Sequence, residues 1–241
     1  MAERALVIVK TGSAEAAVRE RRGDFEAWIE ERTDFGAREI AVVDVGAGGA
    51  LPEPSAVAGA VVTGSAAFVS EREPWSVRTG AWLARLVAAS VPVLGICYGH
   101  QLLAQALGGR VGKNPRGREI GTVRVDVSAA QRIADPLLGG LPGTIDVQAT
   151  HLESVLELPP GARLLGSNEA DPHQACAYGS RAWGVQFHPE FDGDVMRGYL
   201  AARAELLRAE GLDADRLGRE VRESPHGALV LRRFSEIVRA S

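Results

Sequence analysis

The stretch 91–109, VPVLGICYGHQLLAQALGG, constrains the fold of this chain more than any other. Its apolar run 91–96 is short enough for a buried strand, and after Gly99 the residues Leu102, Leu103, Ala106 and Leu107 recur on one side of a helix. Cys97 stands at the junction. Gly95 and Gly99 lie two residues to either side, so the backbone can make the sharp strand-to-helix turn on which α/β hydrolases carry a serine nucleophile. Gly108 and Gly109 then end the helix. A thiol at the first turn of a helix sees unpaired backbone N–H groups and the positive end of the dipole, and both favour thiolate. The competing reading is a small buried apolar residue, the usual fate of a free cysteine.

Strands alternate with helical patterns before this turn. A strand over 6–9 is followed by Thr11-Gly12-Ser13 and one charged helical segment carrying Val18, Phe25, Trp28 and Ile29. Strands over 40–45 and 58–62 follow, the second ending in Thr63-Gly64-Ser65. Pro74 and Trp75 lead into a helix containing Val77, Trp82, Leu83 and Leu86. This rhythm predicts right-handed β-α-β crossovers and a mostly parallel sheet covered on both faces.

Beyond the turn the rhythm changes. Short, turn-bounded segments at 121–127, 145–149, 154–158, 162–166 and 176–178 predict a small antiparallel extension. The run 182–188, AWGVQFH, returns to a strand that ends at His188-Pro189-Glu190. From 194 to 241 the pattern is helical with mixed charges, which predicts amphipathic helices packed on the sheet edge. With no repeat and no long linker, the 241 residues read as one domain, a core over 1–200 with a helical C-terminal extension over 201–241.

Composition narrows the partners. With 27 basic against 31 acidic residues the net charge is −4 and no basic stripe appears, which argues against nucleic acid. The amino-terminal MAERALVIVK lacks a signal-peptide pattern and no segment reaches a membrane-spanning length, so a cytoplasmic protein with no membrane contact is expected. Its two cysteines, Cys97 and Cys176, have no metal or disulfide spacing, and Cys176 reads as core.

A cysteine nucleophile needs a base, and the base needs an acceptor on its other ring nitrogen. Of five histidines, only His188 combines a strand end, a proline and an acid two residues on, Glu190. Strand ends in an open α/β sheet converge on one crevice, so Cys97, His188 and Glu190 can meet. The backbone N–H groups of Tyr98 and Gly64 are candidate oxyanion donors, Gly64 reading equally well as an ordinary turn glycine.

Gly95-Ile96-Cys97-Tyr98-Gly99-His100-Gln101 together with His188-Pro189-Glu190 resembles the class I, triad-type glutamine amidotransferases, over nearly the whole chain to about residue 200. Gly117-Arg118-Glu119-Ile120-Gly121 is similar to the corresponding segment of GMP synthase amidotransferase domains and their stand-alone relatives. The resemblance implies a flavodoxin-like α/β fold and a Cys97, His188, Glu190 triad with Gly64 and Tyr98 as oxyanion hole. It places Gln101 against bound glutamine and brings in Thr150 and His151, which fall where many members carry a histidine followed by glycine in a loop facing the glutamine site. Leu152 departs from that glycine.

The implied reaction is hydrolysis of the glutamine side-chain amide through a γ-glutamyl thioester, with no metal or organic cofactor. The sequence contains no G-x-x-x-x-G-K-[ST] phosphate loop and no synthetase domain is expected after residue 241, so the implied partner is a synthetase or other ammonia-accepting protein. Two other readings stand beside this one: a hydrolase of other γ-glutamyl amides or peptides acting alone, and an inactive protein with a regulatory or binding role.

Overall fold

A computed structural model describes residues 4–241, Gln131 by its backbone alone; residues 1–3, where the segment read for a leader begins, lie outside the described residues. The first strand, β1 (Ala5–Lys10), sends Leu6 and Ile8 into one apolar layer and Val7 and Val9 into another. Two-residue alternation with both faces buried is the signature of a strand inside a covered parallel sheet.

The single helix expected next is two, α1 (Ala16–Arg22) and α2 (Phe25–Glu30). Gly23 takes φ 81° between them, and the Asp24 carboxylate then caps α2. That carboxylate accepts from the backbone N–H of Ala14 at 2.8 Å and of Phe25 at 2.9 Å, and pairs with Lys10 Nζ at 2.8 Å. A helix start is thereby tied to the end of β1.

Next come β2 (Ile40–Asp44), β3 (Val57–Val62) and α3 (Pro74–Ala88). Trp82, Leu83 and Leu86 of α3 are buried, and Val77 is exposed. The face toward the next helix carries small residues instead: a Cβ on Gly80 would touch Ala106 and Leu102 at 3.4 Å. The turn-bearing unit follows as β4 (Val93–Ile96) and α4 (Tyr98–Ala106).

The remaining strands are β5 (Arg110–Lys113), β6 (Glu119–Val127), β7 (Thr144–His151), β8 (Glu153–Glu157), β9 (Arg163–Ser167), β10 (Ala175–Ala177) and β11 (Ala182–Val185), with the short helix α5 (Gln131–Ala134) between β6 and β7. Nine strands form one sheet in the order β2-β1-β3-β4-β11-β10-β9-β6-β7, and β5 pairs with β8 in a separate two-stranded antiparallel sheet. From β2 to β11 all pairs are parallel; from β11 outward all are antiparallel. The antiparallel extension therefore continues the main sheet.

Four helices close the chain: α6 (Gly193–Ala202), α7 (Ala204–Ala209), α8 (Ala214–Glu220) and α9 (Pro225–Arg239). The last of them does not sit at the sheet edge. Val230, Leu231, Phe234 and Val238 of α9 join the same apolar layer as Leu6, Ile8, Val61 and Trp183, so α9 covers a sheet face. Gly59 makes room for it, since a Cβ there would lie 2.5 Å from Val238. Among the described residues no helix is long and apolar enough to cross a membrane.

Candidate active site

The carboxyl ends of β1, β3, β4 and β11 lie side by side in the parallel part of the sheet. Cys97 follows β4 directly and is the N-cap of α4, with φ 50° and ψ −101°. A positive φ at a residue with a side chain is strained, by about 1–3 kcal/mol, and such strain persists where surrounding structure imposes it. Here the imposing contacts are visible: a Cβ on Gly95 would lie 2.5 Å from the Gly99 carbonyl group, and one on Gly99 would lie 2.5 Å from the Val62 carbonyl oxygen. Strand and helix pass within backbone contact of each other, which only glycine at both positions permits.

Beyond β11, the backbone N–H of His188 donates to the Gln148 carbonyl at 2.7 Å, bridging to β7 and fixing where the ring begins. The strand itself stops at Val185, three residues short of the sequence expectation. His188 Nδ1 lies 2.8 Å from Glu190 Oε1, and both side chains are buried. Phe191 stacks on the ring with centroids 4.2 Å apart, and Phe25 of α2 stacks at 6.0 Å. The other edge of the ring faces Cys97 closely enough for each group to shift the other's titration.

Burial alone would lower the His188 value; the charges of Glu190 and Cys97 reverse this and raise it to about 10. Burial alone would raise the Cys97 thiol, and the charge of His188, followed by that of His151, overrides it and holds the thiol below its ordinary range. Cys176, by contrast, is pushed up to about 12, chiefly by burial, as befits a core residue.

Gly64 borders the same ring, where an added Cβ would lie 2.7 Å from His188 Cε1. Thr11 Oγ1 donates to the Thr63 carbonyl at 3.0 Å and lies 3.0 Å from the Gly64 carbonyl. In a trans peptide N–H and C=O point oppositely, so anchoring the Thr63 carbonyl turns the Gly64 N–H the other way. The Tyr98 N–H, at the first turn of α4, lacks an intrahelical acceptor by construction.

A cavity of about 670 Å³ opens in front of the thiol, bordered by Cys97, Gln101, Thr150, His151, His188 and Arg203. Gln101 Nε2 donates to the Glu153 carbonyl at 2.7 Å and to Gln186 Oε1 at 3.0 Å. The Thr150 carbonyl lies 3.9 Å from Cys97 Sγ, while its hydroxyl accepts from Arg203 Nη1 at 3.0 Å. His151 makes two hydrogen bonds, Nε2 with Glu119 Oε2 at 2.9 Å and Nδ1 with the Glu153 carbonyl at 3.0 Å. Among the described residues no group of three or more His, Cys, Asp or Glu is arranged to hold a metal ion.

Phe25, Phe191, Thr11 and Arg203 were not singled out from sequence as site residues. Phe191 follows His188-Pro189-Glu190 directly and could have been suspected on that ground; Arg203 carries no local signal.

Comparison with known proteins bears on the family and the fold. Residues 67–204 match the family described as glutamine amidotransferase class-I. One of the subunits of the glutamine-hydrolysing GMP synthase of Thermococcus kodakarensis is 37% identical over 123 residues, covering 48% of this chain and 63% of that one. Gamma-glutamyl peptidase 5 of Arabidopsis thaliana is 31% identical over 139 residues, 57% of this chain and 55% of that one. The chain spans about a quarter of the length of GMP synthases that it also matches. A solved glutamine amidotransferase from Thermotoga maritima shares the fold over 99% of both chains, with a TM-score of 0.76 at 23% identity. The chain belongs to the class-I glutamine amidotransferases.

Proposed function

We propose that this chain hydrolyses the side-chain amide of glutamine at Cys97 and supplies the ammonia to a separate acceptor protein. The observation that carries the reading is a strained N-cap thiol facing a histidine whose far nitrogen is held by a buried carboxylate. The shifts of the two groups, His188 up and Cys97 down, favour the proton on His188 and a thiolate on sulfur. The thiolate attacks the amide carbon, and the oxyanion is received by the N–H groups of Gly64 and Tyr98. Collapse breaks the C–N bond as His188 gives its proton to departing ammonia, leaving a γ-glutamyl thioester. His188 then takes a proton from water, hydroxide adds to the thioester, and glutamate leaves with the thiolate restored. The sum is glutamine plus water to glutamate plus ammonia.

Two features support substrate contacts by Gln101, Thr150 and Arg203. Gln101 Oε1 is left by its two Nε2 bonds to accept from a ligand, and the Arg203 guanidinium reaches Thr150 beside the thiol. The likeness to one chain of a multi-subunit GMP synthase supports a synthetase as the acceptor. The test is a glutamine-mimicking diazo-ketone, which should give a single adduct at Cys97 by peptide mass mapping and none in Cys97→Ala. An adduct elsewhere, or none at all, rejects the reading.

One observation favours a second substrate class. The cavity is of the size that encloses drug-sized ligands, and a relative is named gamma-glutamyl peptidase. Steady-state kinetics with glutamine against γ-glutamyl peptides separates the two: the glutaminase reading expects the higher kcat/KM for glutamine, and a clear preference for the peptides overturns it.

A further inference from the structure

Cys97 has a second histidine for a neighbour, and its hydrogen bonds differ in kind from those of His188. His151 Nδ1 faces the Glu153 carbonyl oxygen at 3.0 Å, an atom with no proton to give. His151 Nε2 faces Glu119 Oε2 at 2.9 Å. Glu119 is itself surrounded by donors: Gln174 Nε2 also reaches Oε2, and Asn168 Nδ2 reaches Oε1 at 2.7 Å. The Asn168 amide is oriented by its own Oδ1, which accepts the Asp171 N–H at 2.7 Å, so its nitrogen must point at Glu119. This set of donors around its two oxygens suits Glu119 as a carboxylate that only accepts, and against such a partner both nitrogens of His151 donate. A neutral imidazole has only one N–H; a ring that donates twice is an imidazolium.

We infer that His151 is a permanent imidazolium, locked by Glu119 and the Glu153 carbonyl, which supplies Cys97 with a fixed positive charge that takes no part in proton transfer. His151 is a positioning residue in this role, since it acts through the sulfur. The inference deepens the reading of Cys97 as nucleophile and rests on it.

The surroundings agree in sign. Burial alone would lower the His151 value, but the hydrogen bond and charge of Glu119 raise it, with Asp171 and Cys97 adding to the effect. The groups facing Cys97 are His188 and Glu190 from the segment after β11 and His151 from the end of β7. Those facing His151 are Glu119 at the start of β6, Asp171 before β10 and Cys97. His100 of α4 feels the His151 charge as well, and burial drives it down to about 3, so it brings no competing cation.

Two measurements on the full chain decide the matter. In the first, the ring carbons of His151, assigned by their loss in His151→Gln, are followed by NMR against pH. They should stay at imidazolium shifts through pH 8 in the wild type and titrate within the neutral range in Glu119→Gln. A wild-type ring that titrates between pH 5 and 8 overturns the inference, whatever Cys97 does.

In the second, the alkylation rate of Cys97 by iodoacetamide is measured against pH, with Cys97→Ala as the blank. His151→Gln should move the midpoint upward, on the order of one pH unit. Glu119→Gln should move it the same way by less, and it serves if His151→Gln does not fold. A midpoint unmoved in a variant with wild-type circular dichroism overturns the inference. Failure of the nucleophile reading looks different: Cys97 is then inert to iodoacetamide in the wild type, while the NMR result stands by itself.

Discussion

The Cys97 sulfur lies between two histidine–glutamate pairs that resemble each other in composition and differ in connectivity. His188 gives one nitrogen to Glu190 at 2.8 Å and turns the other toward the thiol. His151 gives one nitrogen to Glu119 and the other to the Glu153 carbonyl. The first ring can pick up and release a proton at its free nitrogen. The second cannot do so without breaking a buried hydrogen bond, at a cost of about 1–3 kcal/mol for the group left unpaired. Two side chains of one type beside one sulfur thus divide into a proton carrier and a fixed charge, according to how many of their nitrogens the fold has already engaged.

The largest effect should come from removing the carrier. His188→Gln keeps a hydrogen-bonding side chain but cannot hold the proton that ammonia needs, so glutamine hydrolysis should fall by on the order of 10²-fold or more, the usual worth of a positioned general acid and base. His151→Gln, which leaves the carrier in place, should cost distinctly less at pH 8 and above, where the thiol can ionise without help. Steady-state rates of the two variants across pH 6–9 check this. Equal losses at every pH would erase the proposed division of labour.

How much of this was legible before folding depends on how far apart the cooperating residues lie. Gly95, Cys97 and Gly99 fall within five positions, and His188-Pro189-Glu190 within three, so the spacing itself carries the local geometry. The strand and helix pattern carried the parallel half of the sheet as well. The second pair was not readable. Glu119 and His151 are direct partners in the antiparallel register of β6 and β7, but the connection between those strands includes α5 and runs from 128 to 143, far too long for a turn type to set the register.

Two other misses have similar causes. The break between α1 and α2 falls at Gly23-Asp24, a positive-φ glycine and an N-cap carboxylate that the longer helical periodicity masked and that Lys10 and Ala14 then tie to β1. The placement of α9 over a sheet face depends on Gly59, which marks nothing in the sequence until Val238 is seen against it.

The smallest effect separates the pairs most cleanly, because it counts protons. Between pH 7 and 8 the unfolded chain carries a neutral His188 and a protonated Cys97 thiol, one proton for the two groups. In the folded chain the two groups shift in opposite directions, imidazole up and thiol down, so a proton passed from one to the other is not exchanged with solvent and the pair should add little slope with pH. His151 is different. Its folded value is raised above the unfolded one of about 6.5, so its contribution is fully present below that pH and is lost as pH rises toward the folded value. Over this window the folded state holds more of the His151 proton than the unfolded, and stability should fall as pH rises, by at most about 1.4 kcal/mol per pH unit.

For a chain of this size that is a drop in Tm of roughly 3–6 °C per unit. Urea unfolding at pH 7.0, 7.5 and 8.0 measures it. His151→Gln should flatten the dependence. A flat wild-type profile would mean that His151 holds no extra proton and that the two pairs are not distinguished in the way their hydrogen bonds require.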